Sequence, residues 1–264
     1  MTSEALLLVG RRTHHAKQPF EVHAERLRAR GAVDEVRVGT YETEPVRELR
    51  SQVETIAADR VYAVPMYAAR TYDTDRELPA ALSYVPGTVH CCEPLGQSPA
   101  VTDALLDRAT GLVPAGPDAS LVLVSFGSSS KPYHRQTSEY HADRIRSASG
   151  YGEVVTSYLV QNPAVECARY NVSNRRVVAV PLFFTRSTAT EERIPAALEL
   201  ERGGLEYADP LGDHGRVTDA IHAAVERKRT LATTADEGAV PSPGPGPSAQ
   251  DHPPVVTDGE GEPR

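Results

Sequence analysis

Tryptophan is absent from the 264-residue chain, lysine occurs only at Lys17, Lys131 and Lys228, and cysteine only at Cys91, Cys92 and Cys167. Three thiolates cannot by themselves complete a four-cysteine zinc or iron–sulfur site, so no Fe–S cluster is expected. They suit ordinary reduced thiols and a cytoplasmic protein. No apolar run approaches the ~18 residues that a membrane-crossing helix needs. Met1-Thr-Ser-Glu lacks the basic stretch of a signal peptide, so Ala5-Leu-Leu-Leu-Val9 is expected to be a strand, and no membrane partner is expected. A formal net charge of -8 offers no basic footprint for nucleic acid, which is excluded as a partner.

Much of that negative charge sits in one place. From Thr233 onward the chain is rich in Pro and Gly, has no hydrophobic period and carries -5 of the -8. Such a segment cannot bury enough apolar surface to offset its ordering entropy, so 233–264 is expected to be a disordered acidic tail.

The rest contains an internal repeat. Val61-Tyr-Ala-Val-Pro65 recurs as Val177-Val-Ala-Val-Pro181, Leu78-Pro79-Ala-Ala-Leu82 as Ile194-Pro195-Ala-Ala-Leu198, and Glu93-Pro-Leu-Gly96 as Asp209-Pro-Leu-Gly212, all at an offset of 116. Val101-Thr-Asp-Ala104 and Val217-Thr-Asp-Ala220 keep the same offset, while Glu21-Val-His23 and Glu139-Tyr-His141 stand 118 apart, as do Pro45 and Pro163. The chain therefore reads as two tandem units, 1–114 and 119–232, joined by the turn-rich Pro114–Asp118. Each unit alternates short, continuously apolar strands (Leu6–Val9, Val61–Val64; Leu121–Val124, Val177–Val180) with amphipathic helices (Phe20–Arg30; Ser138–Ser147). Pro45 and Pro163 are each expected to head a helix after the second strand. The fold class is α/β, with two small parallel sheets flanked by helices and facing across a cleft.

In open parallel sheets, ligands bind beyond the carboxyl ends of the strands. Four loops lie there: Gly10–His15, Ser125–Ser130, Ala69–Asp73 and Thr185–Glu191. They would bring Arg11, Arg12, Arg70 and Arg186 together with His14, His15, Asp73 and Glu191. Guanidinium groups suit a polycarboxylate or phosphate ligand, and imidazole with carboxylate suits a divalent first-row metal. Ser128, Ser129 and Ser130 lack a nucleophile elbow and are too few and wrongly spaced for a P-loop, so they read as a loop whose amides hold an anion. His23 and His141, at matched helical positions, read as packing or capping residues. His90-Cys91-Cys92 ends a strand whose alternation puts at least one thiol in the core.

These blocks, together with Glu93-Pro-Leu-Gly-Gln-Ser-Pro99, Glu21-Val-His-Ala-Glu25 and Ala32-Val-Asp-Glu-Val36, resemble the sirohydrochlorin chelatases of the CbiX/SirB group over about residues 4–228. The likeness is to the long, two-domain archaeal form, particularly the haloarchaeal one. The resemblance implies a lyase that inserts a divalent metal into a sirohydrochlorin-like tetrapyrrole in cobalamin or sirohaem biosynthesis. Co2+ is favoured as the substrate metal, with Ni2+ or Fe2+ as alternatives. It also implies a histidine in a Gly-His-Gly-Ser loop after the first strand and a second one after the third strand. Here those loops read Gly10-Arg11-Arg12-Thr13 and Ser125-Phe126-Gly127-Ser128, and the second position reads Asp73 in one half and Ala189 in the other. Arginine neither ligates metal nor accepts a proton near neutrality. The catalytic groups are then expected to be His14, His15 and Asp73, the metal donors those three with Glu191, and the substrate contacts Arg11, Arg70, Arg186, Ser128 and Ser129. The alternative is an inactive relative that binds a tetrapyrrole, a metal or a partner chelatase.

Overall fold

A computed structural model describes residues 2–13 and 17–238. His14, His15 and the stretch 239–264, most of the expected tail, lie outside the described residues. The first half runs β1 (Glu4–Arg11), α1 (Lys17–Ala29), β2 (Glu35–Tyr41), α2 (Pro45–Val53), β3 (Arg60–Pro65), α3 (Leu78–Leu82), β4 (Thr88–Cys91) and α4 (Pro99–Thr110). The second runs β5 (Ala119–Ser125), α5 (Tyr133–Ala148), β6 (Glu153–Tyr158), β7 (Arg176–Pro181), α6 (Ile194–Ala197), β8 (Glu206–Tyr207) and α7 (Gly215–Gly238). Each half forms a parallel four-stranded sheet, in the orders β2-β1-β3-β4 and β6-β5-β7-β8. The first strand of each is central: Leu6 pairs with Val36 and Tyr62, and Leu121 with Val154 and Val178.

The period-2 alternation of the strands sorts their side chains into three cores. Leu6, Leu8, Tyr62 and Val64 from one sheet and Leu121, Leu123, Val178 and Val180 from the other belong to a single shared core. Ala5, Leu7 and Val9 face a separate core with Leu49, Val53 and Leu78. Val122 and Val124 face a third with Val165, Ala168 and Ile194. Burial on both faces explains why these strands read as continuous apolar runs.

The shared core arises because the halves exchange their last helices. α4, from the first half, packs against β7 and α5; α7, from the second, packs against β3 and α1. A buried histidine holds each exchanged helix at its start. His23 on α1 bonds through Nδ1 to Thr218 Oγ1 on α7 and through Nε2 to the Gly212 carbonyl, both at 2.9 Å. His141 on α5 bonds through Nδ1 to Thr102 Oγ1 on α4 at 2.8 Å and through Nε2 to the Gly96 carbonyl at 2.5 Å. Thr102 and Thr218, like Gly96 and Gly212, are repeat equivalents, so the two brackets are one arrangement used twice. Arg30 to Asp219 at 2.8 Å and Arg216 to Asp107 at 2.5 Å add ion pairs between the halves.

Two sequence expectations change. Pro163 heads no α-helix: the Asn162–Pro163 bond is cis, and the Pro163 carbonyl accepts the Tyr158 N–H at 2.9 Å. Ala164 then bridges to Tyr158, so the backbone stays extended until a 3-10 helix at Val165–Tyr170. At the C-terminus, α7 continues through Gly238, so the helix reaches into the first residues of the expected tail.

Two predictions follow from the brackets. Burial lowers the pKa of His23 and of His141 to about 4, so both imidazoles are neutral in the fold. Their unfolded values are near 6.5, so between about pH 6.5 and 4 the unfolded chain binds more protons. Stability is therefore expected to be insensitive to these groups above pH 7 and to fall as pH drops below 6.5. The loss should reach about 3 kcal/mol per histidine by pH 4; urea midpoints that stay flat down to pH 4.5 would contradict the bracket. The second prediction concerns the glycines. A Cβ on Gly96 would stand 2.0 Å from the Ala68 carbonyl oxygen, whereas one on Gly212 (φ 53°) meets nothing closer than 3.6 Å. Gly96→Ala is expected to cost more than about 3 kcal/mol and Gly212→Ala only about 1 kcal/mol, both read by urea denaturation.

Candidate functional site

The carboxyl ends of both sheets open onto one cavity of about 920 Å3, lined by residues of all four loops singled out in the sequence. Its size falls in the range of small-molecule sites. Phe20, Met66, Leu182 and Phe184 supply apolar surface, and Phe126 and Val160 stand exposed at the second half's side. Among the described lining residues are four cations, Arg11, Arg70, Lys131 and Arg193, and one carboxylate, Asp73. That balance favours an anionic ligand with an apolar body.

The first half places Asp73 by a local device. Pro79 has no N–H and would crowd the carbonyl four residues earlier, so the turn before it widens. The Leu78 N–H reaches the Asp73 carbonyl, making a π-helical turn over Asp73–Glu77. Pro195 does the same over Ala189–Arg193. Thr74 Oγ1 accepts the Thr71 N–H at 2.8 Å and Thr190 Oγ1 the Ser187 N–H at 2.9 Å, fixing both loop entries. Asp73, with its side chain 20% exposed, lies 3.4 Å from Arg11 Nε and accepts a hydrogen bond from the Tyr41 hydroxyl at 2.8 Å. Tyr41 in turn meets the Tyr67 hydroxyl. Burial raises the pKa of Tyr41 and pushes that of Tyr67 up to about 12, so both remain protonated donors at neutral pH.

The second half builds a different wall from the same backbone. Phe126 stands where the first half has Arg11, Phe183 where it has Tyr67, and Ala189 where it has Asp73. Arg193 lies 5.7 Å from the centre of the Phe126 ring. Gly127 adopts φ 83°, a conformation that favours glycine, with Gln161 Cγ only 2.9 Å from where a Cβ would be. The Ser128 N–H donates to Gln161 Oε1 at 2.8 Å, and Ser128 Oγ accepts the Ser130 and Lys131 N–H groups. Two of the three serine amides expected to hold an anion, those of Ser128 and Ser130, are therefore used internally, as is that of Lys131; Ser128 and Ser129 still line the cavity.

The remaining expected site residues separate. Arg70 lines the cavity while pairing with Glu93 at 2.5 Å. Its repeat equivalent Arg186 pairs with Asp209 at 2.7 Å and with Glu191 at 3.7 Å. Neither Arg186 nor Glu191 is among the described lining residues, although the neighbours Thr185 and Ser187 are. Arg186 instead offers its carbonyl to Thr13 Oγ1 at 2.9 Å, joining the two halves beside the cavity. Arg12 pairs with Glu42 at 3.6 Å. The described residues contain no group of three or more His, Cys, Asp or Glu placed to hold a metal. Cys92 is buried with its pKa pushed up to about 12 by desolvation, and burial likewise raises that of Cys91. His90 stacks on Tyr62 at 5.3 Å, so this strand end is a packing feature.

Sequence reasoning missed Tyr41, Tyr67 and His134. Both tyrosines sit in apolar patterns that read as core, and only the fold brings their hydroxyls to Asp73. His134, on the first turn of α5, lines the cavity.

The comparisons with known proteins agree with this architecture. A probable sirohydrochlorin cobaltochelatase of Halobacterium salinarum is 28% identical over 222 residues, covering 73% of this chain and 75% of that protein. A multi-domain protein of Deinococcus radiodurans with structural similarity to chelatases superposes with a TM-score of 0.71 at 25% identity. The match covers 85% of this chain and 55% of that one, so the chain spans about half its length. SirB from Bacillus subtilis, with Fe3+, shares the fold, with a TM-score of 0.70 at 17% identity over 88% of this chain and 98% of that one. The CbiX family model matches twice, at residues 5–112 and 120–228, and the chain is a member of the CbiX family.

Proposed function

We propose that this chain inserts a divalent metal, cobalt in first place, into a sirohydrochlorin-like tetrapyrrole in the cleft between its halves. The observation that carries this reading is the cavity itself: apolar surface from both sheets with, among the described lining residues, four cations around one carboxylate suits a flat macrocycle bearing many carboxylates. The Halobacterium salinarum relative named as a probable sirohydrochlorin cobaltochelatase supports it. Ring faces would lie against Phe126 and Phe184, and ring carboxylates would meet Arg11, Arg70, Lys131 and Arg193 as charge-assisted pairs. Ser129 would add a polar contact. Asp73 occupies the position at which the family resemblance implies a metal-handling histidine, and Thr13, which lines the cavity, immediately precedes His14 and His15. We assign metal delivery to those three. Three free thiols and the absence, among described residues, of a helix long and apolar enough to cross a membrane are compatible with the cytoplasmic placement we propose.

One observation favours a second reading. Asp73 is engaged by Arg11 and Tyr41, which ties up the carboxylate on which metal delivery would depend. A protein so arranged would bind the tetrapyrrole without inserting metal, alone or for a partner chelatase.

Anaerobic absorbance of the purified chain with sirohydrochlorin and Co2+, against a protein-free control, separates the two. An insertion rate above the control, lost in the His14→Ala/His15→Ala double variant, supports the chelatase. A shifted tetrapyrrole spectrum with no added rate establishes the binding protein instead. In either case Arg11→Ala and Arg70→Ala are each expected to weaken tetrapyrrole affinity about tenfold, the loss of one charge-assisted contact. Arg186→Ala is expected to change it less than about twofold, because that residue is not among the described residues that line the cavity and its exposed pairs with Asp209 and Glu191 contribute little.

A further inference from the structure

The described histidines divide by what their rings do. His23 and His141 are wholly buried, and each spends both ring nitrogens on a threonine hydroxyl and a glycine carbonyl. They hold helices. His134 is half-buried and lines the cavity, yet its imidazole makes no hydrogen bond to any described residue. Only its backbone carbonyl is engaged, by Ser138 Oγ at 2.9 Å. Beside it, the Arg135 guanidinium donates to the Asn162 carbonyl at 2.5 Å. The ring is thus presented to the cleft with its nitrogens uncommitted.

The rest of the cavity gives that imidazole a purpose. Among the described lining residues, four charged groups are cations that cannot accept a proton near neutrality, and the one carboxylate is bonded to Tyr41 and paired with Arg11. Metal insertion must remove two pyrrole protons. We propose that His134 is the group that accepts a pyrrole proton as the metal enters, a role that rests on the chelatase reading above. In that step a pyrrole N–H bond breaks and its electron pair stays on nitrogen, forming the bond to the incoming dication. The proton passes to the unprotonated ring nitrogen of His134, and the second pyrrole proton passes to water, so one dication replaces two protons. Burial of His134 lowers its pKa, which keeps the ring in the accepting, neutral form at neutral pH. The repeat offset of 118 aligns His134 with Ala16, one residue after His15 in the sequence.

The test uses the full chain, sirohydrochlorin and Co2+ under anaerobic conditions, with wild type measured first. His134→Ala is expected to lower kcat about 100-fold or more, the usual range for loss of a general base, with KM within about twofold. Added imidazole should restore part of the rate to His134→Ala and none to His134→Gln, whose larger side chain fills the site. Unchanged kcat in both variants overturns this assignment and leaves the chelatase reading standing. A wild type that shows no rate above the protein-free control overturns both. A low rate that imidazole does not restore in a His134→Ala protein with wild-type thermal stability also overturns it, because the ring would then only shape the cleft.

Discussion

Each half of this molecule completes the other, and the reciprocal exchange of α4 and α7, locked by His23 and His141, is the constraint on which the rest of the structure depends. An α/β unit of four parallel strands must cover both faces of its sheet. Here one face of each sheet is covered by the helix that the other half supplies, so the two sheets share a core. The histidines make the exchange specific. A neutral imidazole can donate from one nitrogen and accept at the other, and each ring is flanked by one hydroxyl and one carbonyl, which together use both functions. Removing either partner would leave a buried polar atom unsatisfied, which costs more than the bond itself contributes.

That lock also fixes the cleft. With the sheets held by a common core, the carboxyl ends of β1, β3, β5 and β7 open onto the same space, and Thr13 meets the Arg186 carbonyl beside it. Groups more than a hundred residues apart in the chain then face one cavity whose walls are set by packing rather than by loops alone. Preorganised placement of this kind lets a binding site spend little on ordering when its ligand arrives.

Duplication preserved the frame while the walls diverged. The π-helical turns before Pro79 and Pro195, the Thr74 and Thr190 caps and the Arg70–Glu93 and Arg186–Asp209 pairs recur in both halves. They are backbone and rim features, which the same strand–helix geometry requires twice. The inward positions do not recur: where the first half has Arg11, Tyr67 and Asp73, the second has Phe126, Phe183 and Ala189. One wall is polar and holds a carboxylate within a tyrosine chain; the other is aromatic and carries His134. A flat ligand with one face to each wall would meet two chemistries, which a symmetric cleft could not offer.

How much of this was legible in the residues depends on the distance over which each feature is decided. The duplication, the parallel strands, the helix at Pro45 and the loops that meet at the cleft follow from the chain's own order. Periodicity and repeat spacing are local, and strand ends in parallel sheets point to one place. His23 and His141 were readable as packing or capping residues from their matched positions on amphipathic helices. The 3-10 helix at Val165–Tyr170 was not readable, because the extended backbone at Pro163 and Ala164 is held by Tyr158 on a neighbouring strand. Arg11, Arg70 and Asp73, picked out by loop position, line the cavity, whereas Arg186 is not among its described lining residues, since loop position does not fix which way a side chain turns. Tyr41 and His134 gave no signal, since an apolar pattern or a helix start looks the same wherever it packs. The sequence by itself determined the two units, their sheets and the chemistry available at their loops. Only the tertiary structure decided which helix covers which sheet and which side chains share the cavity. Those choices rest on contacts between residues far apart in the chain, which no local pattern encodes.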